Sequence, residues 1–333
     1  MNIRCTLVIA ALAIAAMPAF PALAQTSKPL DTKGTYSLVI ENDAFTGTDR
    51  HYTNGILASW LSGEDVPSWI RQVGDVIPMF ANDSRRRYGV ALSHVIFTPE
   101  NTETSEPILN DRPYAAWLSG NFALTAETED RLDRLTLSLG VVGPGAGGEF
   151  VQNEFHTIIG SDKAQGWTNQ IHNEPALNLF YERQWRWLAE ASEGGFGVDA
   201  LPHLGAALGN VYTYAAAGLA LRLGQDLPAD WGPPRVRPAL PGSANFQPRS
   251  GFGWYLFAGA EGRAVARDIF LDGNTWQDSQ SVDKRPLVAD LNAGLAVTID
   301  GFRIAYTYVY RTKEFYGQDE PDKFASISLS FRW

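Results

Sequence analysis

Cysteine is nearly missing from this 333-residue sequence, since the single thiol belongs to Cys5. The rest of the chain therefore has no disulfide framework and no cysteine nucleophile. Two further patterns are missing as well, because neither Gly-x-Ser-x-Gly nor His-x-x-x-His occurs in the sequence. This disfavours a serine elbow and a zinc site, so a hydrolase built from this chain would more naturally activate water.

Long apolar runs are also scarce. Residues 7–20 form one such run behind Arg4, and it is shorter than the ~20 residues that a membrane-spanning helix needs. A basic residue, an apolar run and small residues up to Ala24 are typical of a secretory signal. We therefore expect residues 1–24 to be removed, which leaves residues 25–333 as an exported protein without a helical anchor. Such a protein is soluble in the periplasm, secreted, or an outer-membrane barrel.

Charge and composition narrow this choice. The net charge of −10 argues against nucleic acid as a partner. The chain contains 31 glycines, and aromatic residues make up 12% of it. Many turn residues and aromatics are typical of an all-β architecture. The mean hydropathy of −0.16 also suits a barrel, because polar residues facing the lumen alternate with apolar residues facing lipid.

The last segment of the sequence alternates between apolar and mostly small or polar residues. Its apolar positions are Ala325, Ile327, Leu329, Phe331 and Trp333. A final strand with an apolar outer face and a terminal aromatic residue is typical of outer-membrane barrels. Residues 287–299 and 302–311 alternate in the same way around Asp300-Gly301, which predicts a tight hairpin.

Alternation of this kind marks twelve candidate strands. They cover residues 34–42, 53–62, 87–97, 114–126, 131–142, 175–187, 196–208, 210–223, 252–265, 286–300, 301–312 and 323–333. An even number of strands, each of about ten residues or more, predicts a transmembrane antiparallel β-barrel rather than a soluble sandwich. Long loops of such barrels are extracellular and short turns periplasmic. We therefore expect Gly224–Gly251 outside the cell and the turns at Asn210 and Asp300-Gly301 in the periplasm.

A first polar cluster surrounds the connection between the first two candidate strands. It reads Glu41-Asn42-Asp43-Ala44-Phe45 and then Asp49-Arg50-His51-Tyr52-Thr53-Asn54-Gly55. The amide, carboxylate and hydroxyl oxygens of Asn42, Asp43 and Thr53 are hard ligands suited to calcium. Asn, Asp and Gly are equally ordinary loop residues, so the spacing alone leaves both interpretations open.

A second polar cluster, residues 143–162, starts with a glycine-rich turn. We expect a short helix after this turn, which would place Gln152 and His156 four residues apart on one face. A histidine beside an amide and a carboxylate can act as a general base at neutral pH. The alternative is a polar loop histidine without a catalytic task.

At these clusters the sequence resembles the LpxR family of outer-membrane lipid A 3'-O-deacylases. The matching motifs are E-N-D-x-F and D-R-x-Y-T-N-G in the first cluster, N-D-R-P-Y-A-A-W at Asn110–Trp117, and G-P-G-A-G-G-x-x-V-Q-N-x-x-H-x-I-I-G at Gly143–Gly160. Trp167 and Gln170 follow the fourth motif. That motif is long and unusual, which makes the resemblance specific.

The resemblance implies an esterase in the bacterial outer membrane that removes the 3'-O-linked acyloxyacyl group from the lipid A part of lipopolysaccharide. It implies that His156 activates water and that Gln152, Asn42 and Thr53 are further catalytic residues. We expect a monomer in the outer-membrane bilayer, with short helical segments near the active site.

The resemblance also implies that calcium, held by Asp43 and Asp162, stabilises the oxyanion. Two departures affect these expectations. Asp162 stands where the family has a glutamate, which is longer by one methylene. The family member compared has a lysine in the loop after the third strand, whereas no lysine occurs between Gly34 and Asp162 here. Arg50 or Arg112 would have to replace it in binding the substrate.

Two other functions remain open. A catalytically inactive barrel could serve as a narrow channel or a structural protein, and charged lumen residues such as Arg303, Arg311 and Asp290 would suit that role. A pore shows single-channel steps in planar bilayers, whereas a filled lumen conducts poorly. The other alternative is an outer-membrane phospholipase, in which a His156 variant would also lose activity.

Overall fold

The computed structural model describes residues 29–47, 51–190, 195–227, 230–239, 242–248 and 251–333. Within these ranges, twelve strands form one closed antiparallel sheet, so the predicted all-β transmembrane barrel is confirmed. The expected signal segment, residues 1–24, and Arg50 lie outside the described residues.

The strands agree with the predicted ranges to within a few residues. They are β1 Thr35–Asn42, β2 His51–Leu61, β3 Arg85–Thr98, β4 Ala115–Glu127, β5 Arg131–Val142, β6 in two segments Glu174–Trp185 and Trp187–Glu190, β7 Phe196–Gly209, β8 Tyr212–Gln225, β9 Phe252–Asp268, β10 Leu287–Ile299, β11 Phe302–Arg311 and β12 Asp322–Arg332. The helices are α1 Ser68–Asp75, α2 Gly148–Ile159 and α3 Ile269–Asp272. Among the described residues, no helix combines the length and the apolar character needed to cross a bilayer.

Closure of the sheet removes the exposed edges that a flat sheet would have. Thr35 of β1 lies opposite Leu61 of β2 on one side and opposite Arg332 of β12 on the other. Neighbouring strands follow the chain order around the barrel. Backbone donors and acceptors thereby find partners within the sheet, as a bilayer without water requires.

Alternation along each strand separates an outer surface from the lumen. On β11, Phe302, Ile304 and Tyr306 are exposed, whereas Arg303 and Arg311 are buried. Apolar side chains outside and charged side chains inside are the arrangement that a lipid environment selects. The predicted outer and lumen faces of this strand are therefore confirmed.

The predicted position of the Gly224–Gly251 connection was wrong. We call the barrel end with Thr35 and Arg332 the terminal end, and the opposite end the distal end. Gly224–Gly251 and the turn 300–301 share the terminal end, whereas the turn 210–211 lies at the distal end, so the expectation that the Asn210 turn shares an end with Asp300-Gly301 was wrong as well. The long connection joins two strands at the terminal end, and its described residues 230–239 and 242–248 fold back into the lumen.

Residues 230–239 and 242–248 of this connection occupy the lumen, and we call them the plug. Its buried apolar side chains include Trp231, Val236 and Phe246. The Arg303 guanidinium donates to the carbonyl oxygen of Ser243 at 2.7 Å and lies over the ring of Phe246. Arg303 on the inner wall therefore finds partners on the plug.

Aromatic side chains fill the lumen toward the distal end. Tyr52, Phe97, Trp117, Phe180, Tyr212, Phe270 and Phe324 belong to one buried cluster. Phe270 comes from α3, whose first three residues are all buried. The rings of Phe97 and Phe270 stack with 4.3 Å between their centres. Plug and aromatic cluster together fill much of the lumen, with a cavity of about 130 Å³ left between the plug and the inner wall of β2–β6.

Candidate active site

The candidate site begins where β1 ends. Side chains of this strand alternate, so that Ile40 is exposed on the outer surface while Glu41 is buried in the lumen. Asn42 therefore points outward, and so does Asn54, which lies directly opposite it on β2. Both amide side chains are nevertheless buried. Protein rather than lipid therefore covers this polar patch on the outer wall.

A β-bulge at Thr53 sets the direction of the neighbouring side chains. Tyr52 pairs with Phe97, while Asn54 pairs with the residue just before Phe97, which leaves Thr53 as the additional residue. Without the bulge, Tyr52 and Asn54 would share one face; with it, Tyr52 enters the lumen and Asn54 faces outward. Thr53 Oγ1 lies 2.8 Å from Oγ1 of Thr98, which fixes the hydroxyl group.

Helix α2 and the glycine-rich turn before it cover the outer wall. His94 of β3 donates from Nε2 to the carbonyl oxygen of Ala146 at 2.9 Å. One buried cluster joins the wall to this segment and contains Ile96, Tyr114, Ala116, Ala146, Ala164 and Trp167. Gly148 allows the close approach, since a Cβ at this position would lie 2.5 Å from both Ala116 and Trp167.

His156 lies on α2 and is 3% exposed. Its Nδ1 lies 2.5 Å from the carbonyl oxygen of Asp162. A carbonyl oxygen only accepts, so Nδ1 carries the proton and Nε2 of the neutral imidazole keeps its lone pair. Gly160, with a φ of 73°, ends the helix and turns the chain so that Asp162 can reach His156. The ring is thus held in the tautomer that a general base requires.

Gln152 precedes His156 by one helical turn. Trp167 donates from Nε1 to Gln152 Oε1 at 2.8 Å, which fixes the orientation of the amide. The Nε2 atom of Gln152 is buried and has no hydrogen-bond partner within the described ranges. An oriented amide donor in a buried site can stabilise negative charge that develops on a substrate oxygen.

A cavity of about 80 Å³ lies between α2 and the barrel wall. The wall side contributes Asn42, Ala44, Thr53, Asn54 and Ile96, and the other side contributes Val151, Gln152, Phe155, His156 and Ser161. Four predicted catalytic residues, namely Asn42, Thr53, Gln152 and His156, therefore meet around one space. Polar groups and apolar side chains line it together, as is typical of cavities that bind small molecules.

Oxygen atoms on the wall side could hold a hard cation. Asn54 Oδ1 is buried without a hydrogen-bond partner in the described part of the chain, and Asn54 lines the cavity beside Asn42 and Thr53. Asp43 follows Asn42 directly and is 2% exposed. Among the described residues, no group of three or more His, Cys, Asp or Glu side chains is placed to hold a metal. A cation here would depend mainly on uncharged oxygens, which calcium accepts and zinc does not favour.

Among the described residues, the predicted site residues Asp43, Asp162 and Arg112 do not line the cavity. The Asp162 side chain is exposed, and the carbonyl oxygen of this residue contacts His156. Arg112 is fully buried, with Nη1 at 3.1 Å from Glu314 Oε2 and its guanidinium over the Phe97 ring. Arg112 thus belongs to the packed distal lumen. Arg50 is outside the described residues.

A different histidine, His51, lies in a carboxylate cluster at the distal rim. Its Nδ1 is 2.6 Å from Asp322 Oδ1, and its Nε2 is 3.5 Å from Asp111 Oδ1. Burial alone would raise the pKa of Asp111, but hydrogen bonds from His51 and from backbone amides hold this pKa below its usual value. Both ring nitrogens of His51 are engaged with carboxylates, so this cluster joins β2 and β12 to the connection between β3 and β4.

Two residues of the site were not singled out from the sequence. Asn54 belongs to the motif D-R-x-Y-T-N-G, and Trp167 follows the motif Gly143–Gly160. Their position in or next to these motifs was the signal in the sequence that could have identified them as site residues. The contact between Trp167 and Gln152 crosses 15 positions of the chain. A spacing of that length has no periodic signature, and only the folded turn after α2 reveals it.

The fold and the site define the class of this protein: an outer-membrane type of β-barrel with a polar cavity between its outer wall and a covering helix. The chain belongs to the LpxR family, because the family model described as outer membrane protein LpxR matches residues 7–333.

A solved LpxR structure agrees with this fold, and two autotransporter structures are less similar. LpxR from Salmonella typhimurium is 21% identical, with a TM-score of 0.73, and the match covers 89% of this chain and 99% of that chain. The β domain of the Bordetella autotransporter BrkA is 10% identical, with a TM-score of 0.41 and coverage of 90% and 97%. The translocator domain of NalP from Neisseria meningitidis is 8% identical, with a TM-score of 0.40 and coverage of 92% and 90%. Among curated protein sequences, none matches significantly.

Proposed function

We propose that this protein is an outer-membrane esterase that removes the 3'-O-linked acyloxyacyl group from lipid A. The four motifs that resemble lipid A 3'-O-deacylases, together with membership of the LpxR family, support the substrate. The observation that carries the reaction is the placement of His156 and Gln152 opposite Asn42, Thr53 and Asn54 around one cavity.

His156 acts as the general base. Its Nε2 accepts a proton from water while the water oxygen attacks the ester carbonyl carbon. The proton on Nδ1 stays there and is donated in a hydrogen bond to the carbonyl oxygen of Asp162, whose partial negative charge stabilises the imidazolium that forms. The proton that Nε2 took from water then passes to the 3' oxygen as the bond between this oxygen and the acyl carbon breaks. His156 is thereby returned to its neutral form.

Gln152 stabilises the carbonyl oxygen of the ester. Its Nε2 donates a hydrogen bond to the carbonyl oxygen of the ester, which gains negative charge during the attack. The bond from Trp167 to Oε1 keeps this amide from rotating. The donor is therefore oriented before the substrate arrives, which avoids the cost of ordering it in the transition state.

Calcium is the proposed cofactor. When bound beside Asn42, Asp43, Thr53 and Asn54, it would supply positive charge that polarises the ester carbonyl. The buried, unpartnered Asn54 Oδ1 supports this choice of ligand atoms among the described residues. Because Asp162 is exposed, we assign the metal-binding role to the wall side and the support of His156 to Asp162.

The position of the cavity suits a lipid substrate. It lies on the outer side of the wall at the distal end, where most connections are long, as is typical of the extracellular end. The outward face of β3 below it carries the exposed side chains of Val90 and Leu92. An acyl chain that lies along this apolar surface in the outer leaflet would place its ester at the cavity.

The test is hydrolysis by the purified, refolded protein in detergent micelles with calcium. Hexa-acylated lipid A should lose its 3'-acyloxyacyl group, whereas lipid A that already lacks this group should not react. Phosphatidylethanolamine serves as the competing substrate. Release of fatty acid from phosphatidylethanolamine with unchanged lipid A would support the phospholipase alternative instead.

A further inference from the structure

Glu41 lies directly behind the candidate site, on the other side of the barrel wall. It is 1% exposed, and its carboxylate accepts three hydrogen bonds. Oε1 accepts from Arg235 Nε at 2.5 Å and from the Val236 amide at 3.2 Å, and Oε2 accepts from the Tyr52 hydroxyl at 2.9 Å. We call Glu41, Tyr52 and Arg235 the rear clamp.

The rear clamp joins three separate parts of the chain. Glu41 belongs to β1, Tyr52 to β2 and Arg235 to the plug, which enters the lumen from the terminal end. All three side chains are at least nine-tenths buried. A buried carboxylate is stable only when its partners remain in place, so the plug and both strand ends constrain one another.

Each clamp residue on the wall is the direct neighbour of a site residue. Glu41 precedes Asn42, and Tyr52 precedes the bulge residue Thr53. Strand geometry sends successive side chains to opposite faces, so fixing Glu41 and Tyr52 inside fixes the direction of Asn42 and Thr53 outside.

Gly55 explains why this part of β2 can hold the clamp. A Cβ at Gly55 would lie 2.2 Å from the Tyr52 hydroxyl oxygen and 3.4 Å from Cγ2 of Val236. Gly55 faces Glu41 across the β1–β2 pair. The missing side chain therefore leaves the space in which the Tyr52 hydroxyl reaches Glu41.

We propose that Arg235 of the plug, acting through Glu41 and Tyr52, is a positioning residue that holds the wall side of the active site. This inference rests on the proposed function, because its effect is measured on the deacylation reaction. The plug then has a second task beyond filling the lumen: it supports an outer-surface site from inside the barrel.

The structure offers matched controls for this proposal. Arg237 is also a plug arginine and pairs with Glu182 of β6, away from the strands that carry the wall side of the site. Tyr255 of β9 donates from its hydroxyl to the buried carboxylate of Asp230 at 3.3 Å, as Tyr52 does to Glu41. Arg237→Gln and Tyr255→Phe therefore remove comparable contacts from other parts of the same lumen.

The experiment compares kcat and KM for lipid A deacylation in micelles, with heat-modifiable mobility on gels as the check of folding. Arg235→Gln should lower kcat by about ten-fold or more, since misplaced groups cost large factors in rate, and should leave KM within about two-fold. Arg235→Lys should recover part of the loss. Tyr52→Phe, which keeps the ring, should also lower kcat. This variant provides the test if Arg235→Gln does not fold.

Arg237→Gln and Tyr255→Phe should keep kcat within about two-fold of the parent protein, because they leave the wall residues of the site in place. Equal losses in the Arg235 and Arg237 variants would overturn the inference, since they would reveal a general effect of the plug. Unchanged kcat in folded Arg235→Gln and Tyr52→Phe would overturn it as well. A parent protein without deacylase activity would instead refute the proposed function, together with the inference built on it.

Discussion

His156 and Gln152 owe their geometry to residues outside their own helical turn. The carbonyl oxygen of Asp162 fixes the tautomer of His156, and the indole of Trp167 fixes the amide of Gln152. Both contacts come from the segment that follows α2. At the residue scale, the site therefore depends on that segment as much as on the two side chains that face the cavity.

Trp167→Phe tests this dependence. The variant keeps an aromatic ring in the buried cluster but removes the donor to Gln152 Oε1, so the amide can rotate away from the substrate. We expect kcat to fall by about ten-fold, less than the 10²–10³-fold that loss of a whole oxyanion donor costs. Trp231→Phe is the control, since Trp231 donates to Glu127 in the lumen at 3.0 Å. A larger loss of kcat in the control would contradict the assigned role.

Calcium dependence follows from the ligand atoms of individual residues on the wall side. A ligand set with few carboxylates binds calcium weakly, so half-maximal activity should require about 10⁻⁴–10⁻³ M calcium. Excess chelator should abolish activity, and added calcium should restore it. Asp43→Asn should shift the calcium titration to higher concentration without unfolding the barrel. Full activity in excess chelator would remove the metal from the mechanism.

Individual site residues were only partly accessible from sequence. The four-residue spacing of Gln152 and His156 predicted their shared helical face, because helical periodicity is local. The placement of that helix against Asn42 and Asn54 was not derivable from periodicity, since it depends on tertiary packing. Arg112 was expected to bind the substrate, but its side chain is buried and paired with Glu314.

Among the helices and strands, α2 completes the site, because it covers the distal ends of β1 and β2 and forms the other side of the cavity. Its inner face supplies Gln152 and His156, whereas its outer face exposes Phe150 and Ile158, at 70% and 80% of their surface. Exposed apolar residues on a helix beside a lipid-facing wall suit contact with the acyl region of a bilayer.

The double variant Phe150→Ser and Ile158→Ser tests this contact. Activity on lipid A in vesicles should fall several-fold, because the helix would lose apolar area that enters the bilayer. Activity on a dispersed short-chain ester should stay unchanged. Leu109→Ser, which alters an exposed apolar residue on another distal connection, is the control. Equal losses on both substrates would indicate a structural defect rather than lost contact with lipid.

The strands were the most predictable elements. Alternation gave all twelve because the difference between lipid outside and polar lumen inside acts on each strand residue by residue. The bulge at Thr53 escaped prediction, since one additional residue leaves no mark in a short polar stretch. The Gly224–Gly251 connection was misplaced because length alone does not reveal whether a connection lies outside the barrel or inside it.

At the scale of the whole molecule, the plug decides between a channel and a closed barrel. Arg303 contacts the carbonyl oxygen of Ser243, and Arg311 contacts that of Pro238. These two arginines were expected to line the lumen of a channel, but they bind the plug instead. Asp290 is paired with Arg263 and Arg311. Charges that are neutralised in this way do not line an open aqueous path.

Planar bilayer recordings test whether the plug closes the barrel to ions. The parent protein should insert without producing single-channel steps, because the packed lumen offers ions no continuous water. A variant in which residues 231–247 are replaced by a short glycine-serine linker should conduct. Regular steps from the parent protein would revive the channel function and weaken the proposed one.

Mass spectrometry of lipid A from a Gram-negative host shows whether His156 is the base of a lipid A deacylase. Host cells that express the chain should yield lipid A lighter by the 3'-acyloxyacyl group. The His156→Ala variant, inserted to the same level, should leave lipid A intact, since loss of a general base costs about 10²–10⁴-fold in rate. The same mass loss with His156→Ala would contradict the role of His156, and an unchanged spectrum with the parent protein would contradict the deacylase activity.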